Sequence, residues 1–330
     1  MIGTALVRYL LSCGIQVAAL VRPGTQKTER LTGLLMPDER EENALKRGKL
    51  HIIRANLEEL KEDRIFEELL LKTGGADAFF HLGWSGTFGE SRNDMYLQNQ
   101  NVRYTLDAVQ LAGKLGCRVF VGAGSQAEYG RVPEGEKLRA DTPAFPENGY
   151  GIAKLCAGQM SRIACREQDI CHIWMRILSV YGPWDTERTM VMSAINTLLA
   201  GGRPVFSKGE QLWDYLYARD AARALWLAAE SGTDGRVYPL GSGQVRPLKE
   251  YIMLIRDAVE PTAEIGIGEL PYQKRQVMYL CADIEQLTED TGFVPEYTFE
   301  EGIRKTAAWQ LERNKRYKEY EENQCSDTML

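Results

Sequence analysis

The chain has 330 residues, which is enough for one large domain or two closely packed lobes around a sizeable core. Hydrophobic residues make up 44% and charged residues 26%, so the composition predicts a globular protein. The net charge of −6 argues against a surface for nucleic acid or for anionic membranes.

The cysteines and histidines give little support for cross-links or metal binding. Seven cysteines are scattered along the chain without CxxC spacing, and their odd number argues against a disulfide framework. Only three histidines are present, which argues against a histidine-based metal site. We therefore expect a protein of a reducing compartment, the cytoplasm, without a metal ion.

The first apolar segment, residues 5–21, resembles a signal peptide in length. Arg8 and Gly14 interrupt it, and no small-residue cleavage site precedes Arg22. We therefore interpret the segment as a helix followed by a strand. No other stretch approaches the ~20 apolar residues that span a bilayer, so we expect no membrane segment.

Short apolar segments alternate with longer helical segments in the first half of the chain. Strands are predicted at 15–21, 50–54, 77–81, 117–123 and 171–178. Helices are predicted at 4–12, 58–72, 95–115 and 150–167. This alternation predicts right-handed βαβ units, and therefore an α/β fold with a mainly parallel sheet.

Beyond about residue 180, Gly, Pro and aromatic residues separate shorter elements. We therefore assign residues 1–178 to a first domain and residues 179–312 to a smaller lobe that covers a substrate and returns segments to the first domain. Residues 313–330 are highly charged and are predicted to form a frayed tail.

Two side chains on one predicted helix suggest proton chemistry. Tyr150 and Lys154 are four residues apart and therefore lie on one helix face. An ammonium close to a phenol favours the phenolate and lowers its pKa, which suits the phenol to general acid/base work. The spacing also arises by chance on any helix, so it carries little weight alone.

Ser125 follows the predicted strand 117–123. Ligands bind at the carboxyl ends of the strands in open α/β sheets, so a hydroxyl there could contact a substrate oxygen beside Tyr150. The plain alternative is a serine that caps the next turn.

The order of these and other motifs resembles the extended short-chain dehydrogenase/reductase family, and specifically its NAD-dependent epimerase/dehydratase members. Ser125 and Tyr129-Gly130 precede Tyr150 and Lys154 with the spacing of that family. Further similar segments are His81-Leu-Gly-Trp84, Asn101-Val-Arg-Tyr-Thr105, Arg176-Ile-Leu-Ser-Val-Tyr-Gly-Pro183, Trp213-Asp-Tyr-Leu-Tyr-Ala-Arg-Asp220, Thr291-Gly-Phe-Val-Pro295 and Phe299-Glu-Glu-Gly-Ile303. The resemblance covers about residues 1–312.

The resemblance implies a Rossmann-like, doubly wound parallel sheet that binds NAD(P), followed by the smaller substrate-binding lobe. It implies that Tyr150 is the general acid/base, that Lys154 tunes Tyr150 and binds the nicotinamide ribose, and that Ser125 orients the substrate oxygen. Asn101 then supports the active-site side of the sheet. The implied reaction is hydride transfer at C4 of a nucleotide-linked sugar by a 4-epimerase or a 4-ketoreductase, and the helices at 95–115 and 150–167 imply a homodimer.

The cofactor side departs from the family pattern. The family opens with a strand and a Gly-x-x-Gly-x-x-Gly turn. This sequence retains only one glycine of that turn, Gly3. We therefore expect a truncated reading frame, a missing central strand and weak cofactor binding. The resemblance implies cofactor contacts from Gly3, Arg22, Asn56, Leu57, Leu82, Gly83, Asn101, Tyr150 and Lys154.

Arg22 follows the strand whose end selects the cofactor. An arginine there favours the 2′-phosphate of NADP, whereas an acidic residue favours NAD, so NADP is the preferred prediction. Asn56 and Leu57 stand where the family often has an Asp beside the adenine, and Asn56 retains hydrogen-bonding capacity.

The residues after Ser125 argue against one branch of the family. Dehydratases carry Asp-Glu there to move protons, whereas this chain has Gln126 and Ala127, with Glu128 displaced by one residue. Neither Gln126 nor Ala127 can act as a general acid or base, so 4,6-dehydration is disfavoured.

The substrate side also differs. Ser179 replaces an Asn of the family, and Trp213 replaces an Arg that binds the phosphates of the nucleotide, with Arg275 as a possible source of the missing charge. The residues predicted to bind substrate are Trp84, Ser125, Gln126, Ser179, Trp213 and Arg275. Two alternatives remain open: an NADPH reductase of a non-nucleotide carbonyl, and a cofactor-poor, non-catalytic binding or scaffold protein.

Overall fold

The structure, a computed structural model, describes residues 1–24, 31, 48–274 and 276–327, with side chains described up to residue 316. The helices are α1 (Ile2–Ser12), α2 (Asp63–Thr73), α3 (Met95–Lys114), α4 (Gly149–Arg166), α5 (Met190–Leu199), α6 (Ala218–Ser231), α7 (Leu248–Val259), α8 (Glu285–Thr291) and α9 (Phe299–Asp327). The strands are β1 (Val17–Val21), β2 (Leu50–Arg54), β3 (Ala78–His81), β4 (Val119–Ser125), β5 (Cys171–Ile177), β6 (Ser179–Tyr181), β7 (Val205–Phe206), β8 (Leu212–Trp213), β9 (Tyr215–Tyr217), β10 (Val237–Leu240), β11 (Arg246–Pro247), β12 (Gly266–Ile267) and β13 (Tyr279–Leu280).

The main sheet is parallel, with the strand order β10-β5-β4-β3, and the prediction of an α/β fold with a parallel sheet is confirmed. All residues of β4 are buried, and neighbouring strands pair with both of its edges. Strands β1 and β2 form a second parallel pair, and within the described residues no strand hydrogen-bonds this pair to the main sheet.

Helices cover both faces of the main sheet. On one face, α1 and α6 pack against inward-facing residues such as Val121 and Ile173. Leu6 and Leu10 of α1 are buried there because they lie one helical turn apart and face the same side. On the other face, α3 and α4 pack side by side over Phe120 and Trp174, which alternate with the first set along the strands.

Much of the chain after β5, which was predicted to form the smaller lobe, consists of short sheets and aromatic side chains. It contains the sheets β11-β8-β13, β12-β7 and β6-β9. The rings of Tyr215 and Phe299 lie within 5.1 Å and 4.5 Å of the Tyr251 ring, measured between centroids. Two buried carboxylates in this region accept backbone hydrogen bonds. Asp214 accepts from the N–H of Ser242 and from those of two other residues, and Asp220 accepts from the N–H groups of Glu296 and Tyr297.

Three predicted elements differ from the observed ones. The helix predicted at 58–72 begins as a short 3-10 turn, Leu57–Glu59, and only continues as α2 from Asp63. Strand β4 runs two residues further than predicted, so that Ser125 is its last residue. The tail predicted from residue 313 is helical in the structure as far as Asp327, where α9 ends, and an Arg316–Glu312 ion pair lies one turn apart at its start.

Candidate active site

Ser125 lies at the carboxyl end of the central strand β4, in the position expected for a ligand-binding hydroxyl. It is buried, and a short turn over Gln126–Glu128 follows it. The Ser125 hydroxyl accepts a hydrogen bond of 3.2 Å from the Ala127 N–H. The Ser125 N–H donates a hydrogen bond of 2.8 Å to the Glu128 carboxylate, so both ends of the turn fix the serine.

Tyr150 stands in the first turn of α4, where the helix starts at the same edge of the sheet. The Asn148 side chain caps this helix by accepting from the Gly151 N–H at 2.9 Å. The edge of the Tyr150 ring meets the Trp84 ring at 6.1 Å between centroids. The Arg92 guanidinium lies 4.6 Å from the centroid of the Tyr150 ring.

Lys154 lies one helical turn after Tyr150 and is buried. Its ammonium donates a 2.5 Å hydrogen bond to the Ala123 carbonyl of β4. The Lys154 Nζ atom lies 3.7 Å from the centroid of the Trp84 ring and 5.9 Å from that of Tyr150. Strand β4 and helix α4 therefore bring Ser125, Tyr150 and Lys154 together.

Burial shifts the pKa values of Lys154 and Tyr150. Burial lowers the pKa of Lys154 to about 7, against the opposing effect of Glu128. Burial also raises the pKa of Tyr150, although a hydrogen bond with Ser125 and the charge of Arg92 act to lower it. The expected lowering of the Tyr150 pKa was therefore wrong, because desolvation of the phenolate outweighs the hydrogen bond with Ser125 and the charge of Arg92.

Asn101 of α3 holds the chain that follows β3. Its carboxamide accepts from the Ser85 N–H and donates to the Ser85 carbonyl, both at 2.9 Å. Trp84 is fixed beside it, because its indole N–H donates a 2.9 Å hydrogen bond to Gln98. Asn101 thus orders the loop that carries Trp84 to the trio.

Four of the residues predicted to bind cofactor lie together. The space beside Gly3 is bounded by Leu82, whose Cδ1 would be 3.6 Å from a Cβ at that glycine. Gly83 packs against Leu57, and a Cβ on Gly83 would come within 2.7 Å of the Leu57 side chain. The first turn of α1 lies in the same place, and no side chain caps it, so its N–H groups can face an anion.

The remaining residues predicted to bind cofactor follow β1 and β2. Arg22 is exposed directly after β1. The Asn56 N–H donates to the Glu59 carboxylate at 2.5 Å, so Asn56 begins the turn after β2. The chain ends of β1, β2 and β3 thus meet near the start of α1, where a helix N-terminus beside a glycine could hold the pyrophosphate of a dinucleotide.

The predicted substrate side shows one direct contact and one unpartnered atom. The Trp213 indole donates a 2.9 Å hydrogen bond to the Ser179 hydroxyl, so the two departures from the family pattern are partners. Among the described residues, the Gln126 side-chain oxygen is buried and has no hydrogen-bond partner. Arg275 lies outside the described residues.

A buried hydrogen-bond network beneath Ser125 was not predicted from the sequence. The Glu128 side chain is 0% exposed. It accepts hydrogen bonds from the Trp174 indole at 3.0 Å and from the Arg176 guanidinium at 2.8 Å. These partners are 46 and 48 residues away in sequence, so no local motif indicates the contacts.

Glycines make room for the indole of this network. A Cβ on Gly122, Gly124 or Gly158 would overlap the Trp174 ring, which lies flat against β4 and α4. Gly122 and Gly124 are two residues apart on a buried strand and therefore share one face. That pair was the available signal that a large side chain crosses β4 at this point.

Other kinds of site have no support in the part of the chain that the structure describes. No three His, Cys, Asp or Glu side chains in these residues are grouped so that they could hold a metal ion. Among the same residues, no helix has both the length and the apolar character needed to cross a bilayer.

Comparisons with known proteins agree with these motifs. The model of the NAD dependent epimerase/dehydratase family matches residues 1–241. The dTDP-glucose 4,6-dehydratase of Shigella flexneri is 27% identical over 203 residues, which are 56% of this chain and 55% of that protein. The chain therefore matches about half the length of this curated relative.

Solved structures share the fold over nearly the whole chain. The UDP-N-acetylglucosamine 4-epimerase of Methanobrevibacter ruminantium M1, in complex with UDP-N-acetylmuramic acid, superimposes with a TM-score of 0.77 and 23% identity, covering 95% of this chain and 96% of that one. RMD from Pseudomonas aeruginosa, complexed with NADPH, gives a TM-score of 0.71 and 21% identity over 89% and 99% of the two chains. These similarities confirm the Rossmann-like fold.

Proposed function

The chain belongs to the NAD dependent epimerase/dehydratase family, and from this membership we propose that it transfers a hydride at C4 of a nucleotide-linked sugar. The observation that carries the proposal is the meeting of Ser125, Tyr150 and Lys154 at the carboxyl end of the main sheet. A nicotinamide cofactor would supply or accept the hydride when bound.

Tyr150 moves the proton in this proposal. Because burial raises its pKa, the phenol is protonated at neutral pH and can donate a proton to a C4 carbonyl oxygen. The Ser125 hydroxyl holds that oxygen. The pKa of Lys154 is about 7, so Lys154 is close to half-protonated at neutral pH and adds positive charge. A nearby anion or a bound cofactor would raise or lower that charge. The protonated phenol favours the reductive direction, because reduction of the carbonyl needs a proton donor.

The turn after Ser125 supports hydride transfer without dehydration. Gln126 and Ala127 have no carboxylate, and the Glu128 carboxylate is enclosed by Trp174 and Arg176. The hydrogen-bonding capacity of Glu128 is thus taken up inside the protein, and we assign it no proton transfer on a sugar. The dehydratase activity in the name of the Shigella flexneri relative is therefore not proposed for this chain.

The cofactor and the type of reaction remain linked in the proposal. An epimerase keeps its cofactor and returns the hydride to the other face of C4, whereas a ketoreductase releases it. The exposed Arg22 after β1 suits the 2′-phosphate of NADP, which supports a ketoreductase that uses NADPH over an epimerase that uses NAD. Gly3, Leu57, Leu82 and Gly83 are proposed to line the dinucleotide.

Trp213 bears on the substrate. Its indole, held by Ser179, offers a flat face to a base or a sugar but cannot pair with phosphates as an arginine does. The same feature favours the second candidate, an NADPH reductase of a non-nucleotide carbonyl. We propose that Trp84, Gln126 and Trp213 contact the substrate.

The test is a turnover assay with matched substrates. The purified chain is incubated with nucleotide 4-ketosugars, or with the same ketosugars lacking the nucleotide, and with NADPH or NADH, while the absorbance of the reduced cofactor is followed. We expect consumption of NADPH with the nucleotide-linked ketosugar. In a parallel arm that supplies a nucleotide sugar with a C4 hydroxyl, interconversion of the C4 epimers without net cofactor consumption would establish an epimerase. Turnover of only the free ketosugar would support the second candidate.

Tyr150→Phe is the control for the assigned chemistry. It removes the proton donor and keeps the ring, so we expect a loss of about 10²–10⁴ in turnover with cofactor binding retained. Unchanged turnover would reject the assigned role, and unchanged cellular function would support a non-catalytic scaffold.

A homodimer is part of the proposal. Ile152, Cys156, Met160 and Ile163 form an exposed stripe along one face of α4, and a second copy of the chain is the proposed cover. Light scattering on the purified chain should give twice the monomer mass, and a monomer would contradict the assignment. We place the protein in the cytoplasm, because the described cysteines are unpaired.

A further inference from the structure

Glu128 carries a negative charge into the interior directly below the proposed active site. Its side chain is 0% exposed, and its partners are all hydrogen-bond donors: the Ser125 N–H, the Trp174 indole and the Arg176 guanidinium. The donors leave no place for a neutral amide, whose NH₂ group would face another donor. The surroundings are therefore built for a carboxylate.

The cost of this burial is offset locally. Arg176, itself 4% exposed, forms a 2.8 Å ion pair with Glu128 and stacks on the Tyr129 ring at 4.5 Å from its centroid. A buried ion pair contributes little to net stability compared with well-packed apolar side chains. A structural explanation alone therefore does not account for a charge at this position.

We propose that Glu128 is a positioning residue of the hydride-transfer site, whose carboxylate fixes the Ser125 backbone and provides the negative charge that holds Lys154 as an ammonium. The proposal rests on the proposed function for its meaning in catalysis. Its physical content is a coupling between two named side chains, which can be measured without any substrate.

The groups around Lys154 leave Glu128 as the source of that charge. From α4, Lys154 faces the Tyr150 phenol, which burial keeps protonated. From β3 it acts on His81, where burial lowers the imidazole pKa to about 3, so this histidine is neutral. The Ala123 carbonyl and the Trp84 ring contribute only partial charges. Glu128 and Lys154 both bind β4, at positions two residues apart: Glu128 accepts from the Ser125 N–H at 2.8 Å, and Lys154 donates to the Ala123 carbonyl at 2.5 Å. Among the described residues, Glu128 is the acidic group that raises the pKa of Lys154.

The two effects of Glu128 act on different members of the trio. Its hydrogen bond to the Ser125 N–H sets the direction of the last residue of β4, and therefore of the hydroxyl. Its charge also raises the pKa of Tyr150, which favours the proton-donating form. One carboxylate thus favours the protonated forms of both the phenol and the amine, and the protonated phenol is the form that can donate a proton when a carbonyl is reduced.

The first experiment measures Lys154 directly. The full chain is labelled with ¹³C at the lysine ε-carbons and titrated by NMR, and Lys154→Met identifies the signal. We expect a midpoint at about 7 in the natural sequence. Glu128→Gln should lower the proton affinity of Lys154 by about threefold or more, because the negative charge is gone.

Trp174→Phe is the matched control. It removes one hydrogen bond from the same network, and it destabilises the fold, but it leaves the Glu128 charge in place. A purely structural Glu128 predicts equal Lys154 titrations in both variants. A fall in proton affinity confined to Glu128→Gln supports the proposal, and unchanged titration in Glu128→Gln overturns it.

A second measurement needs no change at Glu128. The indole N–H resonance of Trp174, identified by its absence in Trp174→Phe, reports on the carboxylate that it contacts. In the natural sequence this resonance should shift with the same midpoint as Lys154. An indole signal that does not change over the pH range in which Lys154 titrates would contradict the coupling. Both measurements stand if the turnover assay fails, so the two proposals can fail separately.

Discussion

The trio end of the main sheet and the β1–β2 pair differ in how firmly the chain holds them. Every residue of β4 is buried, and hydrogen bonds run to strands on both sides. In β1 only Val17 is buried, and β1 and β2 pair with each other alone within the described residues. The proposed proton chemistry therefore rests on the best-packed part of the molecule, and the cofactor contacts proposed for Arg22, Asn56 and Leu57 on a less buried part.

This difference indicates that the trio end of the main sheet and the β1–β2 pair can open locally with different free energies, although both belong to the proposed reaction site. Regions with few buried contacts open at lower free energy than the core. Local opening near β1 would disturb Arg22 while Ser125 and Lys154 stay in place. Three measurements can break or sharpen this comparison.

The largest expected effect is acid destabilisation of the main sheet. Burial lowers the pKa of His81 to about 3 and that of His172 to about 4, from 6.5 for each. The unfolded chain therefore binds more protons between those values, and the free energy of unfolding falls as the pH drops from 6.5 towards 4. Several kcal/mol are expected, since each unit corresponds to about 1.4 kcal/mol.

Denaturant unfolding at a series of pH values measures this effect. His81→Gln should flatten the dependence, whereas His51→Gln in β2, where the histidine is only partly buried, should leave it unchanged. Equal acid sensitivity in both variants would show that buried histidines of the main sheet are not its source.

The second prediction compares one substitution in the two sheets. Val121→Ala removes two carbon atoms from a fully buried position of β4 and should cost about 2 kcal/mol of unfolding free energy. Val21→Ala makes the same change in half-buried β1 and should cost less than about 1 kcal/mol. Urea unfolding gives both values, and a larger loss for Val21→Ala would reverse the comparison.

The smallest expected effect concerns Arg92, which lies on the Tyr150 ring. Arg92→Gln removes a charge that lowers the pKa of the phenol, so the basic limb of the pH–rate profile should move to higher pH. A half-exposed cation–π contact is worth about 0.5–1 kcal/mol, which corresponds to a rate change of about twofold to fivefold. A profile identical to that of the natural sequence would remove Arg92 from the site.

The fold and the trio were accessible from the sequence because both depend on short-range patterns. Alternating apolar segments located β2 and β5, and the spacing of Tyr150 and Lys154 placed them on one face of α4. The orientation of Lys154 was not accessible. Its contacts with Trp84 and Ala123 depend on how α4 lies across β3 and β4, which no local spacing specifies.

Burial also overturned two interpretations that treated side chains as if they were in water. The phenol of Tyr150 was expected to be more acidic, and desolvation made it less so. Glu128 was considered only as a displaced catalytic acid, whereas distant Trp174 and Arg176 enclose it. Charge effects of this kind follow from depth in the fold, which the sequence does not display.

The fit of Trp174 against three glycines restricts how this sequence can change over evolutionary time. A methyl group on Gly122, Gly124 or Gly158 would collide with the indole, so each glycine is replaceable only after the tryptophan has become smaller. A smaller residue at 174 would first release Glu128 and loosen Ser125. The single-step routes away from this arrangement therefore all pass through a less stable protein, and the four positions are expected to persist or change together.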